Sequence, residues 1–165
     1  MLIDGERPRR PLPAAAVAGL SAILLAFLAS CSTTTKMRQS MFGGEIPFSV
    51  TVGHEANENS AVAVDLVVVY DQGVLDQLLK LRAAEWFNVK DQFLKDHRDQ
   101  VFVKGWQWAP SQRVTDQSVP YHSGARKVVL FADYATEGAH REVVDPQQKF
   151  HLELDKLDLN VKVIP

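Results

Sequence analysis

The chain has one cysteine, Cys31, and it closes an uncharged, Ala- and Leu-rich run from Ala14 to Ala29 that follows Arg7, Arg9 and Arg10. That placement constrains whatever folds after it. With a single thiol no intramolecular disulfide can form, so the fold must rest on an apolar core. A basic start, an apolar run and small residues at its end make the three-part layout of a secretory signal, which is removed and takes no part in the mature fold. The run counts sixteen residues, short of the roughly 20 that a bilayer-spanning helix needs. The remainder is long enough for one modest core and not for two.

The segment Leu28-Ala29-Ser30-Cys31 resembles the bacterial lipobox, in which a diacylglyceryl group is placed on the cysteine and residues 1–30 are cleaved away as signal peptide. The alternative is a short uncleaved anchor helix in which Cys31 is incidental. Either way the domain lies outside the cytoplasmic membrane. One acyl chain gives marginal binding and two or more a durable anchor. Ser32 and Thr33 follow the cysteine, whereas Asp directly after it retains such proteins at the inner membrane. Lipidation at Cys31 and an outer-membrane location facing the periplasm are therefore expected.

Residues 31–44 read as a lipidated, flexible tether. Ser32 to Gly44 (STTTKMRQSMFGG) has neither strand nor helix periodicity and ends in Gly-Gly. Fully extended, such a segment reaches about 43 to 47 Å. Residues 45–165 form the expected domain. Ile46 to Gly53 alternates like a half-buried strand, and Pro47 is tolerable near its start. His54 to Ser60 is a polar loop. Ala61 to Tyr70 is β-branched with both faces apolar, which places it centrally in its sheet. Gly73 to Phe87 has helical spacing, and a second short helix is expected from Asn88, as N-cap, to about Asp99. Strands follow at Val101 to Trp108, Ala125 to Tyr134 and Arg141 to Val144, with a closing hairpin at Lys149 to Leu154 and Leu157 to Ile164. Ala109 to Pro120 reads as a loop with at most a short strand at Arg113 to Thr115. The expected fold class is mainly β, a two-layer β-sandwich with one or two inserted short helices.

The formal net charge of -2 becomes about -3 once three arginines and two acids leave with residues 1–30, which is no footprint for nucleic acid. His54, His97, His122, His140 and His151 are scattered, without the spacing of a metal site. No GxSxG, P-loop or GxGxxG occurs, so no catalytic residue and no cofactor is expected. Trp106 and Trp108 share a strand face and could stack on sugar in a wall-binding protein; core aromatics are the plainer reading.

From Phe48 onward the order of features resembles the type VI secretion lipoprotein family (TssJ, SciN, VasD). The matching residues are Phe48 to Val52, Asn57 in the loop, Val67 to Gln72 (VVVYDQ), Trp86-Phe87 with Phe93, Val128 to Tyr134 (VVLFADY) and Arg141. The resemblance implies a transthyretin-like β-sandwich with an extra helical element. It implies a lipid-anchored structural subunit, not an enzyme, that links the outer membrane to the periplasmic region of a large inner-membrane component (TssM-like). The family's contact loop falls here on His54 to Ser60, with His54, Asn57, Glu58 and Asn59 as partner-binding candidates and Tyr70, Phe131 and Tyr134 as core. This loop is short, lacks the proline often found before the second strand, and has His140 where a Trp often precedes the Arg. A pilotin-like lipoprotein of another secretion system, or a peptidoglycan-associated binding module, are the alternatives.

Overall fold

The computed structural model describes residues 42–164; Cys31, the signal and most of the expected tether lie outside them. In chain order the elements are β1 (Gly44–Val52), a four-residue turn at Ala56–Asn59, β2 (Val62–Val69), α1 (Gln72–Leu78), α2 (Ala83–Asp96), β3 (Val101–Trp108), β4 (Arg113–Tyr121), β5 (Lys127–Asp133), β6 (Arg141–Val144), β7 (Lys149–Leu154) and β8 (Leu159–Ile164). They form two four-stranded sheets, ordered β4-β1-β7-β8 and β3-β2-β5-β6. The β1–β7 pair is parallel and the other pairs are antiparallel.

Alternation decides which residues meet between the sheets. Ile46, Phe48, Val50 and Val52 of β1 and Phe150, Leu152 and Leu154 of β7 face Val62, Val64, Leu66 and Val68 of β2 and Val128, Leu130 and Ala132 of β5. Pro47 precedes Phe48, where pairing with β7 begins, so its missing N–H breaks no bond to that strand. The other face of β2 and β5 is also apolar, because the helices cover it. Val67, Val69, Val129 and Phe131 pack there against Val74, Leu75 and Leu78 of α1 and Ala83 and Trp86 of α2. Both cores are complete between Ile46 and Leu159, so the domain has what it needs to fold on its own.

One charge is buried under α2. Asp65 on β2 accepts hydrogen bonds from Trp86 Nε1 at 2.9 Å and Lys90 Nζ at 3.1 Å. Opposite it on β3 stands Gly105, where a Cβ would lie 2.6 Å from the Asp65 carboxylate oxygen. The absent side chain is what lets the carboxylate fit between strand and helix.

Two expectations need correction. The helical segment breaks at Leu79 to Arg82 and not at Asn88, which lies inside α2. Asp71 caps α1 by accepting from the Val74 N–H at 3.0 Å, and Glu85 starts α2 by accepting from the Arg82 N–H at 2.8 Å. Between the helices, Arg141 donates to the Leu81 carbonyl and Ala83 N–H donates to the Ala139 carbonyl, which pins the break to the second sheet. The second correction is β4, a nine-residue strand where the sequence suggests a loop with at most a short strand at Arg113 to Thr115. It is an edge strand paired only with β1, so polar residues and Pro120 are tolerated on it. A bulge marked by left-handed Asp116 shifts its register between Gln117 and Val114.

Tyr121, at the end of β4, has the only buried side-chain polar atom without a hydrogen-bond partner among the described residues. Because an unpaired buried hydroxyl costs stability, Tyr121→Phe is expected to raise the unfolding free energy by about 1 kcal/mol in urea denaturation. A loss of that size instead would show that the hydroxyl is in fact bonded.

Candidate functional site

The β1–β2, β5–β6 and β7–β8 connections gather at one end of the sandwich, the end away from the start of β1. The β1–β2 connection is not an ordinary loop. Asn57, Glu58 and Asn59 have φ of 48°, 55° and 61°, three successive left-handed residues. L-residues avoid that conformation at a cost of about 1–2 kcal/mol each, with Asn the most tolerant, so the surroundings must hold it in place. They do so through Asn57, which is buried. Its side-chain carbonyl accepts from the Ala135 N–H at 2.7 Å, and its amide donates to the Ala61 carbonyl at 3.1 Å. Its backbone N–H donates to the Lys156 carbonyl at 3.2 Å.

The neighbouring connections are fastened in the same way. Tyr134 donates its hydroxyl hydrogen toward the carbonyls of Asp155 and Asp158, each at 3.0 Å. His140, also buried, is held between the Asp158 carboxylate and the Thr136 carbonyl, each 2.9 Å from a ring nitrogen. Thr136 donates to the Leu157 carbonyl at 3.2 Å. Three loops are thus bonded into one surface, and a surface ordered in advance loses less entropy on binding.

The four residues singled out in the sequence divide accordingly. His54, Glu58 and Asn59 are exposed, whereas Asn57 faces inward and is spent on holding the turn. The rest of the exposed surface here is mainly acidic: Glu55, Asp133, Glu137, Asp155 and Asp158 join Glu58, against Lys156, Arg113 at the start of β4 and the apolar Leu157. Phe131 and Tyr134 are buried, in line with a core role, but Tyr70 is only half buried and lies at the opposite end. Trp106 and Trp108 stack at 5.4 Å; Trp108 is buried in the core and Trp106 meets Phe48 edge-on at 5.3 Å, so neither presents a free face like that of a sugar platform.

Burial raises the Tyr134 hydroxyl pKa far above the usual tyrosine range, and the charges of Asp155 and Asp158 add to it. Tyr70 and Tyr121 are raised as well, chiefly by burial. In the unfolded chain these hydroxyls ionise near 10, so above that pH the folded state holds protons that the unfolded state releases. Stability is present below about pH 10 and declines as pH rises past it. Thermal unfolding followed from about pH 8 to about pH 11 is expected to show the melting temperature falling above about 10; a flat profile there would contradict this.

No protein-family model matches the chain, and no curated protein matches it. Solved structures do. The type VI secretion lipoprotein TssJ1 from Pseudomonas aeruginosa aligns with a TM-score of 0.55 at 11% identity, over 73% of this chain and 96% of that one. Lip from Serratia marcescens, a membrane-bound component of the type VI secretion system, gives 0.57 at 8% identity, over 72% and 96%. A chain in the structure of the C-terminal domain (869–1107) of the type VI secretion protein TssM from EAEC gives 0.54 at 14%, over 73% and 98%. The chain therefore has the fold of the type VI secretion lipoproteins, and the resemblance carried by its residues is matched in three dimensions.

Proposed function

We propose that this protein is a lipid-anchored structural subunit of a type VI secretion membrane complex. It is held at the outer membrane through Cys31 and joins that membrane to the periplasmic part of a TssM-like inner-membrane component. One observation carries the reading: a domain with the fold of solved type VI secretion lipoproteins follows a segment that resembles a lipobox in the same chain. A chain of the same fold in a TssM structure belongs to the same secretion system.

The geometry suits a bridge. The lipidated segment enters at the start of β1, and the bonded loop surface lies at the far end of that strand. An anchor at one end presents the loops away from the lipid. His54, Glu58 and Asn59 make the contact, with Asn57 positioning their backbone. The excess of carboxylates over Lys156 and Arg113 fits a basic surface on the partner, and association is expected to slow as salt is added.

Cys31→Ser tests the anchored half of this reading. The variant is expected to leave the membrane fraction and appear as a folded soluble domain, while the wild-type mature protein carries the mass of acyl groups on its first residue. A Cys31→Ser protein that still fractionates with membranes would overturn the assignment.

A further inference from the structure

At the end of the sandwich where the chain enters, a cleft of about 700 Å³ opens between the two sheets. Phe42, Tyr70, Phe102, Tyr121 and His122 line it, with Arg98 and Asp99 as its charged residues. Phe42 is 75% exposed and Phe102 41%. Phe102 is in register with the buried Val68, on the inward side of its edge strand, yet the opposing sheet leaves it uncovered. The Tyr70 ring stacks on His122 at 3.8 Å with their planes 9° apart, which continues the aromatic wall. Arg126, exposed beside it, donates from Nε to the Tyr70 carbonyl at 3.2 Å.

Phe42 is placed there by a constrained backbone. Gly43 has a φ of +82°, and a Cβ on it would meet the Tyr121 carbonyl oxygen at 2.3 Å. Only glycine fits, so the chain is fixed as it passes the cleft rim.

We propose that this cleft is a docking surface for the phospholipid bilayer, on which the domain rests with its acidic loops turned away. The proposal rests on reading Cys31 as the lipid anchor. Eleven residue steps separate Cys31 from Phe42, a reach of at most about 36–40 Å, so the cleft sits where the tether joins the domain and is within reach of the lipid. Tethering at that range keeps the local lipid concentration high without new contacts. Exposed Phe beside Tyr and His, whose bodies are apolar and whose tips are polar, is the side-chain chemistry of a membrane interface.

Charge selects the same end. The loop surface, with six carboxylates against Lys156 and Arg113, is repelled by anionic phospholipid, whereas the cleft end mixes Arg98, Arg126 and Lys127 with Glu45, Asp71, Asp99 and Asp145 in nearly equal numbers. Lys36 and Arg38 precede Phe42 in the sequence. Burial of the aromatic side chains thus drives the docking, and charge sets its direction.

The test uses residues 31–165 with Cys31 coupled to a maleimide phospholipid in phosphatidylethanolamine–phosphatidylglycerol nanodiscs, so that the anchor is present whether or not cells acylate it. A paramagnetic chelate on the lipid headgroups should broaden the amide signals of residues 98–102 and 121–123 more than those of 54–60. A Phe42→Ser/Phe102→Ser variant, whose altered side chains lie outside both cores, should stay folded and lose that asymmetry. Equal broadening at both ends, or an asymmetry that survives the double variant, overturns the proposal. Chemical-shift changes at the cleft that need no lipid and grow with protein concentration would assign it to a second copy of the chain and overturn it too. The mass of protein extracted from cell membranes reports separately on acylation, so a failed anchor and a failed docking surface give different results.

Discussion

Replacing Trp86 with alanine is expected to cost the domain about 3–5 kcal/mol, read from urea denaturation. The indole is fully buried between α2 and the second sheet, stacked on Phe131 at 5.2 Å and edge-on to Phe93 at 5.7 Å. Its loss opens a cavity and removes a hydrogen bond from a buried carboxylate. Asp65 would keep only Lys90, whose side chain is one-third exposed. Trp86→Phe separates the two effects: most of the packing stays and only the N–H is lost, for an expected cost of about 1–3 kcal/mol. A loss below about 1 kcal/mol for Trp86→Ala would mean that the helices contribute little to holding the sandwich.

The second large effect is expected at Asn57. Asn57→Ala should cost about 2–3 kcal/mol, because it unpairs the Ala135 N–H and puts a poorly suited residue in a left-handed position. The same substitution should loosen the turn that displays Glu58 and Asn59. Glu58→Gly acts in the opposite sense on stability. Glycine takes the φ of 55° without strain, so this variant should gain up to about 1 kcal/mol while giving up an exposed carboxylate. If Asn57→Ala were neutral in denaturation and the 53–60 amides were unshifted, the bonded loop surface would not be the rigid unit described.

What could be read from the residues alone follows from how local each signal is. The alternation in Ile46 to Val52 and the two-sided apolar run of β2 are complete within a few residues, and both strands stand where they were expected. β4 was hidden because an edge strand with one neighbour can be polar and can carry Pro120, which looks like a loop. The helix break was misplaced because α1 and α2 share one helical period across Leu79 to Arg82. Arg82 is not a usual capping residue; Glu85, three residues on, marks the start.

The same distinction holds at the site. The loop was located by resemblance, but the inward turn of Asn57 depends on Ala135, 78 residues away, and on a backbone conformation that propensity disfavours. The aromatic cleft has no local pattern at all. Its residues come from the segments around 42, 70, 98–102 and 120–122, which only the register of the sheets brings together.

The measurement that bears most directly on the assembly role is capture of the soluble domain, residues 42–165, by the periplasmic region of the TssM-like component from the same organism. The wild-type domain and a Glu58→Lys variant, which leaves Asn59 in its left-handed position, are compared at low and moderate salt. The wild type is expected to bind, more weakly as salt rises, and the variant, with its denaturation curve little changed, to lose capture. A folded wild-type domain that fails to bind, or a variant that binds as well as the wild type, would contradict the account.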